Sequence, residues 1–276
     1  MPISHHECAR EGTLLPEGFQ FMCTFVILRR PGHPWPVLIA ANRDEMRTRP
    51  SRPPGRHWSD RSEVRAGLDL ASGGSWLGVN DHGLVAAVMN RRGTLGSLPG
   101  KRSRGELVLD ALDHAEASEA AGALADLDPA AYRPFNLVLA DPRSAYWLRH
   151  GGDGDIRVHP ISAGLHMLSA SELDDLDEPR IAEHLPRFVA AQIPDPDADE
   201  WTAWRNLLAS NQGLASNQGH PDAGSECAMT FERPDGFGTR SSALIAIPLY
   251  PGYGSGPIWL HAEGRPDEAP FLRVPS

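Results

Sequence analysis

Met22-Cys23-Thr24-Phe25-Val26-Ile27-Leu28-Arg29 and, after a Pro31-Gly32-His33-Pro34 turn, Val37-Leu38-Ile39-Ala40-Ala41-Asn42-Arg43-Asp44-Glu45 form the stretch on which the reading of this chain turns. Two β-branched, apolar runs joined by a Pro/Gly turn predict a hairpin over residues 23–29 and 37–41. Its first strand begins with a cysteine that directly follows a methionine. Removing that methionine would give Cys23 a free α-amine with a pKa of roughly 7.7–8, able to take the thiol proton at neutral pH. Cys23 is therefore expected to be a nucleophile that carries its own base.

The 276-residue chain is 41% hydrophobic and 22% charged, the composition of a globular protein with a sizeable core. Its formal net charge of -10 argues against nucleic acid and anionic membrane surfaces as partners, since both are bound through clustered Lys and Arg. Cys8, Cys23 and Cys227 are odd in number and form no C-x-x-C pair, so neither a zinc site nor a disulfide framework is indicated. No apolar run approaches the roughly 20 residues of a membrane span. Residues 1–21 lack the basic and apolar regions of a secretory signal and read as a structureless leader or a mis-assigned start. A cytoplasmic protein with one domain over 22–276 is the resulting expectation.

Residues 47–66, rich in Arg, Pro and Ser, read as a long loop. Strands are expected at 76–79 and 84–89, bridged by Asn80-Asp81-His82-Gly83, with Asn90 at the tip of the second. Leu107, Val108, Ala111 and Leu112 fall at helical spacing, and an Ala-rich segment over 115–127 continues the period. Strands return at 135–140, 145–149, 156–160 and 165–168. Helices are expected over 179–192 and 201–208, and strands again at 227–231, 242–248 and 258–261. A tandem LASNQG duplication, residues 208–219, lies in a polar loop. Hairpin rather than βαβ connections point to antiparallel sheets covered by helices.

No G-x-S-x-G elbow, P-loop or H-E-x-x-H motif is present, and the twelve histidines show no paired spacing, so no metal and no cofactor is implied. The informative signals are instead an ordered set. Met22-Cys23-Thr24, the Asn42-Arg43-Asp44-Glu45 tetrad, Ala66-Gly67-Leu68-Asp69, Gly73-Gly74-Ser75-Trp76-Leu77-Gly78-Val79-Asn80, Ala86-Ala87-Val88-Met89-Asn90-Arg91 and Gly238-Thr239-Arg240-Ser241-Ser242 together resemble the NRDE family. That family is akin to the transport and Golgi organization protein of animals and is similar in turn to N-terminal-nucleophile hydrolases of the choloylglycine hydrolase and penicillin acylase kind.

The resemblance implies an α+β fold, a four-layer αββα sandwich of two mainly antiparallel sheets. It also implies Cys23 as nucleophile, Asp44 as the carboxylate that orients the α-amine, Asn90 as oxyanion donor and Arg240 as supporting cation. Asn42 and Arg43 are implied on the substrate side, with Arg43 either touching substrate or bracing Asp44. Alternatively, Asp44 and Arg240 form a salt bridge, Asn90 caps a turn and Trp76 is packing. One departure stands out: relatives usually carry Leu-Ser-Asn or Leu-Thr-Asn where this chain has Leu168-Ser169-Ala170-Ser171. A missing oxyanion donor typically costs about 10²–10³ in rate.

Two functions follow. The first is a hydrolase or acyltransferase that cleaves a linear amide of a small molecule through a thioester on Cys23. The alternative is a non-catalytic binding or trafficking protein that holds a haem- or lipid-like ligand in the same pocket.

Overall fold

The computed structural model describes residues 23–211, 227–250 and 256–276. The leader, most of the LASNQG duplication and residues 251–255 lie outside the described residues.

Strands β1 (Thr24–Arg29) and β2 (Val37–Met46) form the expected hairpin, with Thr24 opposite Asn42 and Arg29 opposite Val37. Alternating residues of β1 enter different cores. Phe25 and Ile27 face one core, and Val26 and Leu28 face another. Both sides of the strand are therefore buried, which is why the sequence here is a continuous apolar run.

The remaining strands are β3 (Ser51–Gly55), β4 (Val64–Asp69), β5 (Leu77–Asn80), β6 (Val85–Asn90), β7 (Phe135–Ala140), β8 (Ala145–His150), β9 (Arg157–Pro160), β10 (Gly164–Leu168), β11 (Phe237–Ile247), β12 (Ile258–Glu263) and β13 (Leu272–Arg273). They make two antiparallel sheets, ordered β10-β1-β2-β11-β12-β13 and β3-β4-β5-β6-β7-β8-β9. Helices α1 (Gly105–Leu112) and α2 (Ala117–Ala125) cover the second sheet. Helices α3 (Pro179–Ala190) and α4 (Thr202–Leu208) cover the first. A third core lies between the sheets, built from side chains such as Ile27, Ile39, Val79, Val138, Ile245 and Trp259. The architecture is the expected αββα sandwich, with three apolar seams between four layers.

Two expected elements differ. The 47–66 loop is in part strand: its last three residues open β4, and residues 51–55 are an edge strand, β3, whose Ser-Arg-Pro-Pro-Gly sequence is tolerated because an edge needs few ladder donors. Residues 227–231, expected as a strand, are instead a buried turn segment. Its Met229 and Thr230 N–H groups donate to Ser210 O at 2.9 and 3.1 Å, so α4's end takes the bonds a ladder would have used.

Candidate active site

Cys23 stands just before β1 at the edge of a cavity of about 310 Å³. The cavity opens between the end of β2, the Gly-rich turn before β5, and the basic 96–105 segment leading into α1. On its other side Cys23 borders a slot of about 30 Å³ between the sheets, lined by apolar groups that include Phe25, Leu77, Met89 and Trp259. The thiol thus sits where a small apolar recess meets a wide polar one. His261 also lines the slot, with its Nε2 2.9 Å from Glu263.

The Cys23 sulfur meets the backbone of Asp44. It accepts from Asp44 N–H at 3.4 Å and lies 3.7 Å from Asp44 O. Burial pushes the thiol up to about 12, helped by the negative charges of Asp44 and Glu45, while the Asp44 N–H and the Arg43 charge pull it down. Among the described residues no histidine or carboxylate side chain hydrogen-bonds the sulfur, so no side chain is set to take its proton.

The pleat of β2 divides the tetrad. Arg43 lies on the face shared with Cys23 and the slot. Its guanidinium is 4.2 Å from the Trp76 ring centroid and the residue is only 7% exposed, yet it makes no ion pair among the described residues. Trp76 can reach this position because β4 presents a glycine: a Cβ on Gly67 would lie 2.3 Å from the indole. Gly67, Trp76 and Arg43 therefore stack across the mouth of the two sheets. Glu45 lines the same cleft and is 3.6 Å from Arg49.

Asn42 and Asp44 take the opposite face, under the helices. Asn42 donates to Leu208 O at 3.0 Å and Met229 O at 2.7 Å and accepts from Ser242 at 2.6 Å, so its amide is committed to holding α4 and the 227–231 segment. The Asp44 carboxylate accepts from Arg180 of α3 at 3.0 Å and from Thr239 of β11 at 2.9 Å. Arg180 also donates to Thr24 at 3.0 Å. Burial raises the Asp44 carboxyl above the usual range, against the pull of Arg180 and Thr239.

Arg240 is placed by a bulge in β11. The register with β2 shifts between Thr239, opposite Asp44, and Ser241, opposite Arg43, leaving Arg240 as the extra residue. It donates to Glu45 O at 3.1 Å and Gly236 O at 3.0 Å and pairs with Glu232 at 3.3 Å. The ion-pair partner of Asp44 is thus Arg180, and the cation whose charge favours thiolate at Cys23 is Arg43. Asn90 lines the cleft, and its side chain makes no hydrogen bond among the described residues. Ser169 and Ser171 do not line it. Ser171 instead donates to Glu178 at 2.5 Å, and the backbone on either side of Ala170 is held by the Asn136 amide.

Sequence reading missed Arg180, Arg104 and Arg133. Arg180 and His184 stand with Ile181 and Phe188 on the buried side of α3, and a cation on an apolar helix face is the signal that was available. Arg104 and Arg133 lie in loops, where spacing says nothing about direction.

Residues 22–248 match the family described as Transport and Golgi organisation 2. Its animal relatives include the Transport and Golgi organization protein 2 homolog of Bos taurus, 36% identical over 255 residues, covering 76% of this chain and 82% of the relative. The Homo sapiens homolog is 32% identical over 248 residues, with the same shares of each chain. Among solved structures, the fold is similar to a Caenorhabditis elegans N-acylethanolamine-hydrolyzing acid amidase ortholog, with a TM-score of 0.55, 10% identity, and 92% and 100% of the two chains covered. It is also similar to a single-residue variant of a conjugated bile acid hydrolase from Clostridium perfringens, with a TM-score of 0.50, 12% identity, and 92% and 97% covered.

Proposed function

This chain belongs to the Transport and Golgi organisation 2 family, and within that family we propose that it is a cysteine N-terminal-nucleophile hydrolase of a small-molecule linear amide. The observation that carries the reading is the placement of Cys23: at the head of β1, on the cavity wall, with its sulfur against Asp44 N–H and no side-chain base beside it among the described residues. A thiol held at about 12 is inert near neutrality unless a base is supplied, and the one base a chain beginning at Cys23 adds is its own α-amine.

In the proposed reaction the Cys23 sulfur attacks the amide carbonyl carbon as the α-amine takes the thiol proton. The tetrahedral oxyanion is met by the Asn90 amide. The C–N bond then breaks, and the departing nitrogen leaves as an amine with that proton. Water attacks the resulting thioester carbonyl, releasing the acid and restoring the thiol. Asp44 presents from β2 the N–H that meets the sulfur, and Arg180 and Thr239 keep its carboxylate in place. Arg43, rather than Arg240, supplies the nearby positive charge.

The test is acyl transfer from an activated anilide, followed by intact mass. A chain beginning at Cys23 should gain one acyl group. Cys23→Ala, and a chain that keeps residues ahead of Cys23, should gain none. Equal acylation of Cys23→Ala would remove the proposal, and saturable ligand binding without any acyl adduct would turn the reading toward a binding protein.

A further inference from the structure

The wall of the cleft facing Cys23 carries more positive charge than its neighbours neutralise. Asp69 and Glu45 share Arg49, at 2.6 and 3.6 Å, Asp44 is taken by Arg180 on the far side of β2, and Arg102 by Glu106 at 2.7 Å. Arg43, Lys101, Arg104 and Arg133 remain, and none forms an ion pair among the described residues. Arg104 and Arg133 both donate to one carbonyl, Gly96 O, at 3.1 Å each, which holds two guanidinium groups side by side. The other partners of this pair are neutral: Thr94 and Pro134 O for Arg104, and Leu95 O and Gly93 O for Arg133. Burial and mutual repulsion lower Arg104 to about 10. In a chain of net charge -10, a cavity whose cations outnumber its two carboxylates, Glu45 and Asp69, both engaged by Arg49, is costly to hold, and a bound anion would relieve the cost. Arg43 is an independent pointer, being more than nine-tenths buried, lining the same cavity from the opposite sheet, stacked on Trp76, and within the field of Glu45 and Asp69 but in no direct ion pair among the described residues.

We infer that the cleft beside Cys23 is an anion subsite in which Arg43, Lys101, Arg104 and Arg133 take a phosphate, sulfonate or carboxylate group of the ligand. Guanidinium groups fixed by backbone carbonyls are already oriented for bidentate bonds to such a group. This deepens the hydrolase reading by naming its substrate class, an amide whose polar half is anionic and whose apolar half enters the slot. It rests on that reading only for the word substrate, because binding needs no nucleophile.

The test is calorimetric titration with inorganic phosphate and with N-acetylglycine, made in Cys23→Ala protein at ionic strength held constant with sodium chloride. Phosphatidylglycerol and phosphatidylcholine vesicles serve as the lipid-headgroup arm. Saturable binding of either small anion is expected, weakened about tenfold in Arg133→Gln and in Lys101→Gln, and unchanged in Arg143→Gln on a distant surface. Lys101 is exposed, so its variant leaves the fold intact even where Arg133→Gln loosens the 93–96 loop. Retention on phosphatidylglycerol vesicles alone, lost in the same two variants, would support the subsite and make a lipid headgroup the source of the anion. No saturable binding by any probe, or equal affinities in all variants, would overturn it. Anion binding without acyl transfer in the wild type would end the hydrolase reading and leave the subsite standing. Acyl transfer from a neutral amide with no anion binding would do the reverse.

Discussion

Arg180 reaches from α3 through the helix layer to Asp44 and bonds it at 3.0 Å in a pair almost wholly shut off from solvent, the two side chains being 3% and 0% exposed. Such a pair contributes little net stability compared with an apolar pair of similar volume, yet breaking it strands a charge. Arg180→Met is expected to lose about 3–5 kcal/mol in urea unfolding, and Asp44→Asn a comparable amount. The double variant should recover a good part of the sum, as coupled sites do. Simple additivity of the two losses would show that the bond is incidental.

Gly67 is the seat of the Trp76 ring, and a Cβ there would lie 2.3 Å from it. Gly67→Ala should cost about 1–3 kcal/mol through overpacking and displace the platform under Arg43. Urea midpoints measure the first effect, and anion affinity in the cleft measures the second. A variant equal to wild type in both would mean that the stack tolerates movement.

His184 is buried on α3, and its Nε2 lies 2.7 Å from Cys227 O. Burial, with the charges of Arg187 and Arg180, lowers it to about 4 against the Cys227 hydrogen bond. Its folded pKa is below the ordinary value near 6.5, so the unfolded chain binds a proton first as pH falls. The stabilisation is whole above about pH 6.5 and is lost on the way down to about 4, amounting to about 3 kcal/mol. His184→Gln should flatten the stability difference between pH 7 and 4.5. A curve as steep as wild type would place the acid sensitivity elsewhere.

The reactivity of Cys23 should depend on what precedes it. In a chain that keeps residues ahead of Cys23, alkylation by iodoacetamide is expected to climb through the alkaline range without levelling off, because the thiol is pushed up to about 12. Acyl transfer by a chain that starts at Cys23 should rise with the α-amine, through roughly pH 7.7–8, and then flatten. Identical profiles for the two chains would show that the amine has no part.

The hairpin, both helical pairs and most strands were legible because apolar periodicity states directly which side of an element is buried. The 227–231 run misled for the same reason: Cys227, Ala228 and Met229 are apolar because they are buried, and burial there comes without a ladder. Side-chain direction in the site was harder to read. Arg240 looks in sequence like a partner for Asp44, but the bulge after Thr239 adds a residue that no local composition announces. Arg104 and Arg133 become neighbours only when two loops, far apart in sequence, close over one carbonyl.

Asn42 and Asp44 hang from one side of β2 as anchors for the helices, while Arg43 and Glu45 look out from the other into the cleft. Four adjacent letters are therefore two separate tools, kept apart only by the alternation of a pleated strand. One residue inserted between Val37 and Asn42 would exchange the two sets, burying a guanidinium where an amide should anchor α4 and emptying the mouth of the pocket at a stroke.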